Sequence, residues 1–195
     1  LRERRYPQPK LLLHIWSMAI NRCISIEECL RSEAPQFHEL ADELEAVGKR
    51  YQERKLQLDL VDYDDLLIYF RRLLVEFDEP AEQLKAGFRH VLVDEYQDTN
   101  KLQGEIVDLC AETHGNLTVV GDDAQSIYSF RGAHFTNIID FPERYPESQV
   151  FKLERNYRSV PEVLALANRS IRNNIRQFPK QLEATRPPGM MPVLL

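Results

Sequence analysis

Cysteine is scarce. The three present, Cys23, Cys29 and Cys110, are an odd number with no C-x-x-C spacing, which argues against a disulfide framework and a zinc site. They read as reduced, mostly buried thiols. Long hydrophobic runs are missing as well: none approaches the roughly twenty residues that span a bilayer, and the basic start Leu1-Arg2-Glu3-Arg4-Arg5 has no apolar signal core behind it. The expectation is a cytoplasmic protein with no membrane partner. No internal repeat or low-complexity stretch occurs. Nor does the phosphate-cradling pattern G-x-x-x-x-G-K-[ST]: the one Gly-Lys pair, Gly48-Lys49, lies inside a charged helical pattern without that spacing.

Positive charge is also short, with a formal net charge of -6, which taken as an average argues against a nucleic-acid partner. The average conceals an asymmetry. From Phe151 onward eight basic residues face three acidic ones, a balance of +5 that leaves -11 on residues 1–150. A solvated helix face accounts for most of these charges, yet a localised basic groove remains compatible with the overall balance.

The first third is patterned for helices. Leu11, Leu12, Ile15, Met18 and Ala19 form a helical stripe, and Ser25-x-x-Glu28 has the form of a capping box. A long polar helix is expected from Pro35 to about Leu56, with Phe37, Leu40, Leu44, Val47 and Tyr51 as its single apolar stripe. Asp62 can cap a further helix running to about Phe77. Asp62, Asp64 and Asp65 could form a metal site, but they suit the positive end of a helix dipole better. From Phe88 the rhythm changes to strand, helix, strand, with Thr99 or Asn100 starting the helix, Leu102, Ile106, Leu109 and Cys110 on one face, and Gly115 ending it. That is a βαβ unit. A third strand is expected over Gln149 to Leu153, followed by a helix opened by the capping box Ser159-x-x-Glu162.

Two apolar runs end in carboxylates: Val91-Leu92-Val93-Asp94-Glu95 and Leu117-Thr118-Val119-Val120-Gly121-Asp122. Such runs suit strands buried on both faces of a parallel sheet, where ligands gather beyond the carboxyl ends. Adjacent acids there can divide two tasks, one holding magnesium on nucleotide phosphates and the other orienting or deprotonating the attacking water. An Asp-Glu pair can equally mark only a strand leaving the core.

The surrounding words add more. The first run continues as Asp94-Glu95-Tyr96-Gln97-Asp98-Thr99-Asn100 and the second as Gly121-Asp122-Asp123-Ala124-Gln125-Ser126-Ile127-Tyr128-Ser129-Phe130-Arg131-Gly132-Ala133, with Leu153-Glu154-Arg155-Asn156-Tyr157-Arg158-Ser159 beyond. These resemble the second, third and fourth motifs of the UvrD/Rep/PcrA group of superfamily 1 DNA helicases, and Val61-Asp62-Tyr63-Asp64-Asp65-Leu66-Leu67 resembles a word those proteins carry just before the second motif. The resemblance implies an α/β fold: an incomplete RecA-like parallel sheet of the P-loop NTPase kind with a mostly helical N-terminal insertion. Residues 1–87 would be the insertion, 88–148 the core of the first RecA-like domain, and 149–195 the start of the second.

It also implies roles. Asp94 matches the family's magnesium-coordinating acid and Glu95 its catalytic base. Gln125 matches the glutamine that contacts the terminal phosphate of ATP and couples it to movement. Arg131 and Arg158 match arginines that approach that phosphate, the second as an arginine finger from the other domain, and Tyr157 matches the aromatic that stacks on adenine. Tyr128 and Phe130 fall where family members stack on single-stranded DNA, although many carry Trp at the position of Phe130. Read from the residues alone, Gln125 could cap a loop, the arginines could be surface ion pairs, and Tyr128 and Phe130 could be core residues.

The implied cofactors are ATP and Mg2+ and the implied partners single-stranded and duplex DNA. The family's phosphate loop would precede Leu1, so the chain is expected to be an internal piece of a helicase, nearly inactive alone and prone to self-association through an open sheet edge. Two other readings stay open: the helicase portion of an AddA/RecB-type helicase-nuclease, and a non-catalytic helicase-derived module that binds DNA or protein.

Overall fold

Pro9, which has no N–H to leave unpaired, opens α1 (Pro9–Arg22) in a computed structural model that describes residues 6–128, 132–133 and 136–193. The expected stripe is the buried one: Ile15, Met18 and Ala19 are buried and Leu11 and Leu12 pack partly against them. Ser25 then opens α2 (Ile26–Glu33) with the expected capping box, its Oγ accepting the Glu28 amide at 3.1 Å while Glu28 accepts the Ser25 N–H at 3.0 Å.

The next helix departs from expectation. Pro35–Leu40 winds as a 3-10 turn, and α3 (Ala41–Gln57) becomes α-helical only at Ala41. In the tighter winding residues three apart eclipse one another, which sets Phe37 and Leu40 together against the Ile15–Leu30 cluster. Farther along, Leu44 is buried but Val47 and Tyr51 are 45% and 37% exposed. The close contact between them is Gly48, on which the Trp16 ring lies so tightly that a Cβ would overlap it. Gly48→Ala is therefore expected to destabilise the fold by about 1–3 kcal/mol in urea denaturation, although Ala is the better helix former by about 1 kcal/mol. A neutral result would mean that the indole moves aside at no cost.

Asp62 caps α4 (Tyr63–Glu76) through a box with Asp65. All three acids of this cluster have structural partners: Lys55 donates to Asp62 and Asp65 at 2.6 Å each, and Asn21 donates to Asp64 at 2.8 Å. After α5 (Asp78–Gly87) come β1 (Val91–Val93), α6 (Lys101–Ala111) and β2 (Leu117–Val119). Strands β1 and β2 are parallel, with Val91 opposite Leu117 and Val93 opposite Val119. Asn100 caps α6 by accepting the Gln103 amide, and Gly115 closes its far end by donating to Ala111. Leu102, Ile106 and Cys110 of α6 pack with Leu74 of α4, so the helical first half lies directly on the βαβ unit.

The strands are not buried on both faces. Alternation points Val91, Val93, Leu117 and Val119 inward, whereas Leu92 is 74% exposed and Thr118 is also exposed. Among the described residues, packing elements lie on one side only.

Short helices α7 (Thr136–Ile139) and α8 (Phe141–Arg144) follow, with Ile138 and Phe141 closing over Tyr96. Residues 149–153 do not form the expected strand: they pair with no strand among the described residues, and Val150, Phe151 and Leu153 are exposed. Pairing begins later, where β3 (Arg155–Asn156) runs parallel to β4 (Glu183–Ala184) in a second sheet of two strands. Between them α9 (Pro161–Ile171) starts at Pro161 without the expected Ser159–Glu162 box. The Asn156 Oδ1 accepts the Arg158 and Ser159 amides instead, and Glu162 accepts from Gly189 N–H. Over the described residues the chain is thus mostly helical with two small parallel sheets, consistent with an α/β class. No helix among the described residues is long and apolar enough to cross a membrane.

Candidate functional site

The parallel ladder of β1 and β2 continues past both strands, and this builds the site. Val120 N–H donates to Val93 O at 2.8 Å and Tyr96 N–H to Val120 O at 2.9 Å, which sets the carboxyl ends of the two apolar runs side by side. Asp94 and Glu95 leave β1 at that end and are exposed. Glu95 turns with a left-handed backbone, φ 49°, and its N–H donates to Asp94 Oδ1 at 2.9 Å. Tyr96 anchors the turn from below: it is fully buried, its ring meets Phe141 edge-on at 5.8 Å between centroids, and Arg144 donates to its hydroxyl at 2.8 Å.

From the other strand end comes the Gly121–Gln125 loop. Gly121 is required by contact, since a Cβ there would run into Gln97 Oε1 and stand 2.7 Å from Ile138 Cδ1. Asp122 is the hub. Its N–H donates to Gln97 Oε1 at 2.9 Å, its Oδ1 accepts the Ala124 N–H at 3.0 Å and the Lys180 ammonium at 2.5 Å, and its Oδ2 accepts Gln125 Nε2 at 2.7 Å. Gln97 in turn donates to Glu95 Oε2 at 2.7 Å. The two acids of the first run and the Gln125 loop of the second are therefore joined by hydrogen bonds through one buried amide.

Burial pushes the Asp122 carboxyl up, but the hydrogen bonds from Lys180 and Gln125 outweigh it and hold the group below the usual carboxylate range. A depressed carboxyl pKa contributes stability that is present above the unfolded value of about 3.9 and lost as pH falls through the folded value. The Lys180 tie should therefore hold at neutral pH and release in strong acid. Asp122→Asn should loosen it wherever the wild-type carboxylate is ionised, neutral pH included, read as faster amide hydrogen exchange over residues 176–184. Unchanged exchange there at pH 7 would show that the tie contributes nothing.

The other candidates are distributed unevenly. Gln125 is exposed beside Asp122, and Tyr128, 36% exposed, accepts the Ala133 N–H through its carbonyl. Phe130 and Arg131 lie outside the described residues. Tyr157, 70% exposed, and Arg158 sit on the turn after β3, and among the described residues neither is hydrogen-bonded to Asp94, Glu95 or Gln125. Their segment still reaches the site through Lys180.

For magnesium, no cluster of three or more His, Cys, Asp or Glu ligands occurs among the described residues. A single exposed carboxylate, Asp94, with one oxygen occupied by a local amide, nevertheless fits that ion, which keeps waters and phosphate oxygens as most of its ligands.

Residues 5–146 match the family profile of the UvrD/REP helicase N-terminal domain. The chain belongs to the UvrD/REP helicase family. It is 38% identical over 175 residues to the ATP-dependent DNA helicase PcrA of Staphylococcus epidermidis, a match covering 90% of this chain and 24% of that protein. It is 38% identical over 174 residues to PcrA of Bacillus subtilis, covering 89% and 23%, and 40% identical over 152 residues to PcrA of Staphylococcus aureus strain Mu50, covering 78% and 20%. The chain thus spans about a quarter of the length of these UvrD/REP relatives.

Sequence reasoning assigned no role to Gln97 and Lys180, which organise this UvrD/REP site, and read Asp122 only as the acid that ends the second apolar run. Lys180 counted only as part of a basic tail, and its partner lies 58 residues away. A buried pair, Asn21 and Asn100, was missed too: Asn100 donates to Asn21 at 2.6 Å, and the Gly132-Ala133 end of the third motif packs against both.

Proposed function

We propose that this chain is part of an ATP-driven motor that moves on single-stranded DNA and separates duplexes, with residues 88–148 in the first RecA-like domain and residues 149–195 beginning the second. The observation that carries the reading is the hydrogen-bonded joining of Asp94-Glu95 to the Gly121–Gln125 loop at the carboxyl ends of parallel strands. The family match and the PcrA relatives, named as ATP-dependent DNA helicases, support it.

Asp94 would hold magnesium in this reading, and Glu95 accepts a proton from the attacking water. When bound there, the ion would supply positive charge that offsets the charge developing on the phosphate. Gln125 offers both a donor and an acceptor to the terminal phosphate, and Asp122 fixes its orientation. Arg158 and Arg131 supply cationic donors to the same group, Tyr157 offers its exposed ring to adenine, and Tyr128 with Phe130 stacks on DNA bases, a contact that tolerates any sequence.

The test is strand separation by the full-length gene product on a duplex bearing a single-stranded tail. ATP should drive separation and a non-hydrolysable analogue should not. Separation that is equal with both would remove the motor reading.

A further inference from the structure

We infer that Gln97 is a positioning residue that ties the Glu95 carboxylate to the Gly121–Gln125 loop, so that movement of the loop is felt at the hydrolytic base. The inference rests on the reading of Glu95 as that base. Gln97 is 1% exposed, and its side chain spans two groups with opposite demands. The Asp122 backbone N–H can only donate, and it takes Gln97 Oε1; the Glu95 carboxylate can only accept, and it takes Gln97 Nε2. These partners fix the amide's orientation. They also dictate its type: Glu would present a second acceptor to Glu95, and Met would satisfy neither side.

The surroundings preserve the arrangement. Gly121 leaves the space that Gln97 Oε1 occupies, and the Gln97 carbonyl accepts the Ser126 hydroxyl at 3.3 Å, adding a second hold on the same loop. Beyond Asp122 the chain of bonds reaches Gln125 Nε2. A route Glu95–Gln97–Asp122–Gln125 therefore runs between the group that would activate water and the group that would meet the terminal phosphate. The backbone bonds Val120 to Val93 and Tyr96 to Val120 hold the strand ends together independently of this side chain. Loss of Gln97 should consequently misplace Glu95 without separating the strands.

The experiment measures single-stranded-DNA-stimulated ATP hydrolysis by the full-length gene product and its variants Gln97→Met and Gln97→Glu, together with unfolding midpoints. Gln97→Glu keeps the size and the acceptor for Asp122 and replaces the donor to Glu95 with an oxygen that repels its carboxylate, so it carries the test if Gln97→Met does not fold. The expected result is a fall in kcat of about tenfold or more with KM for ATP within about threefold. In the Glu95→Gln background the same substitution should lower the residual kcat no further, because the two act as one unit. A loss that is equal in both backgrounds, or that only follows the unfolding midpoint, would overturn the inference. Wild type without stimulated hydrolysis would remove the functional reading, and the inference with it.

Discussion

Replacing Glu95 by Gln is expected to lower DNA-stimulated ATP hydrolysis by the full-length gene product about a thousandfold, with nucleotide affinity within about threefold of wild type. Shape changes little in this substitution, and the introduced amide can still accept the Gln97 N–H through its carbonyl, so the loop connection survives. What disappears is the basic carboxylate, which sits exposed at the strand end where water can reach it. Rate and affinity should therefore part company. Asp94→Asn should behave differently, raising the magnesium concentration needed for half-maximal turnover, because the proposed function makes Asp94 the ion's ligand and Glu95 the base. Titration of ATP binding alongside steady-state rates checks both, and a Glu95→Gln protein within about threefold of wild-type kcat would remove Glu95 from the chemistry.

The second large effect lies far from that chemistry. Lys55→Met should destabilise the fold by about 3 kcal/mol or more in urea denaturation, because it leaves the Asp65 carboxylate buried without its cation. The Lys55 side chain is 8% exposed and that of Asp65 2%. Burial pushes the Lys55 ammonium down, but its hydrogen bonds to Asp62 and Asp65 prevail and hold it above the usual lysine value. For Asp62, burial pushes the carboxyl up and the Lys55 hydrogen bond leads the terms that bring it below the usual range. The raised Lys55 value contributes stability below about pH 10.4 that fades as pH rises through the folded value. The lowered Asp62 value contributes stability above about pH 3.9 that fades in acid. The network is thus fully favourable between those limits. Asp65→Asn added to Lys55→Met should recover part of the loss, since it removes the unpaired charge and keeps an acceptor for the Asp62 N–H. A single variant within about 0.5 kcal/mol of wild type would show that water replaces the ammonium freely.

Local chemistry made much of this structure legible in the sequence. Ser25, Asp62 and Asn100 cap the helices they were expected to cap, because a cap is a bond between residues three apart and needs no distant partner. The parallel pairing of β1 and β2 followed from two apolar runs separated by a helical stretch. Failures occurred where tertiary contacts decide. Leu92 is apolar yet exposed, since composition cannot say which sheet face is covered. The Ser159–Glu162 box does not form, because Asn156 takes the Ser159 N–H that Glu162 would accept in it and Glu162 accepts the Gly189 N–H. The Gln149–Leu153 stretch has strand composition but no ladder partner among the described residues. In the candidate site, the place of Asp94 and Glu95 at a strand's carboxyl end followed from the apolar run before them, whereas the Gln97 amide and the Lys180 tie depend on chain segments that meet only in the folded state.

The measurement that tests the motor reading most directly is steady-state ATP hydrolysis by the full-length gene product with and without single-stranded DNA. A rate that rises several-fold with DNA, requires magnesium and collapses in Glu95→Gln is the expected result. Hydrolysis that is absent, or indifferent to DNA in the wild-type protein, would contradict it and leave the Asp94-Glu95 strand end as a structural feature of the fold.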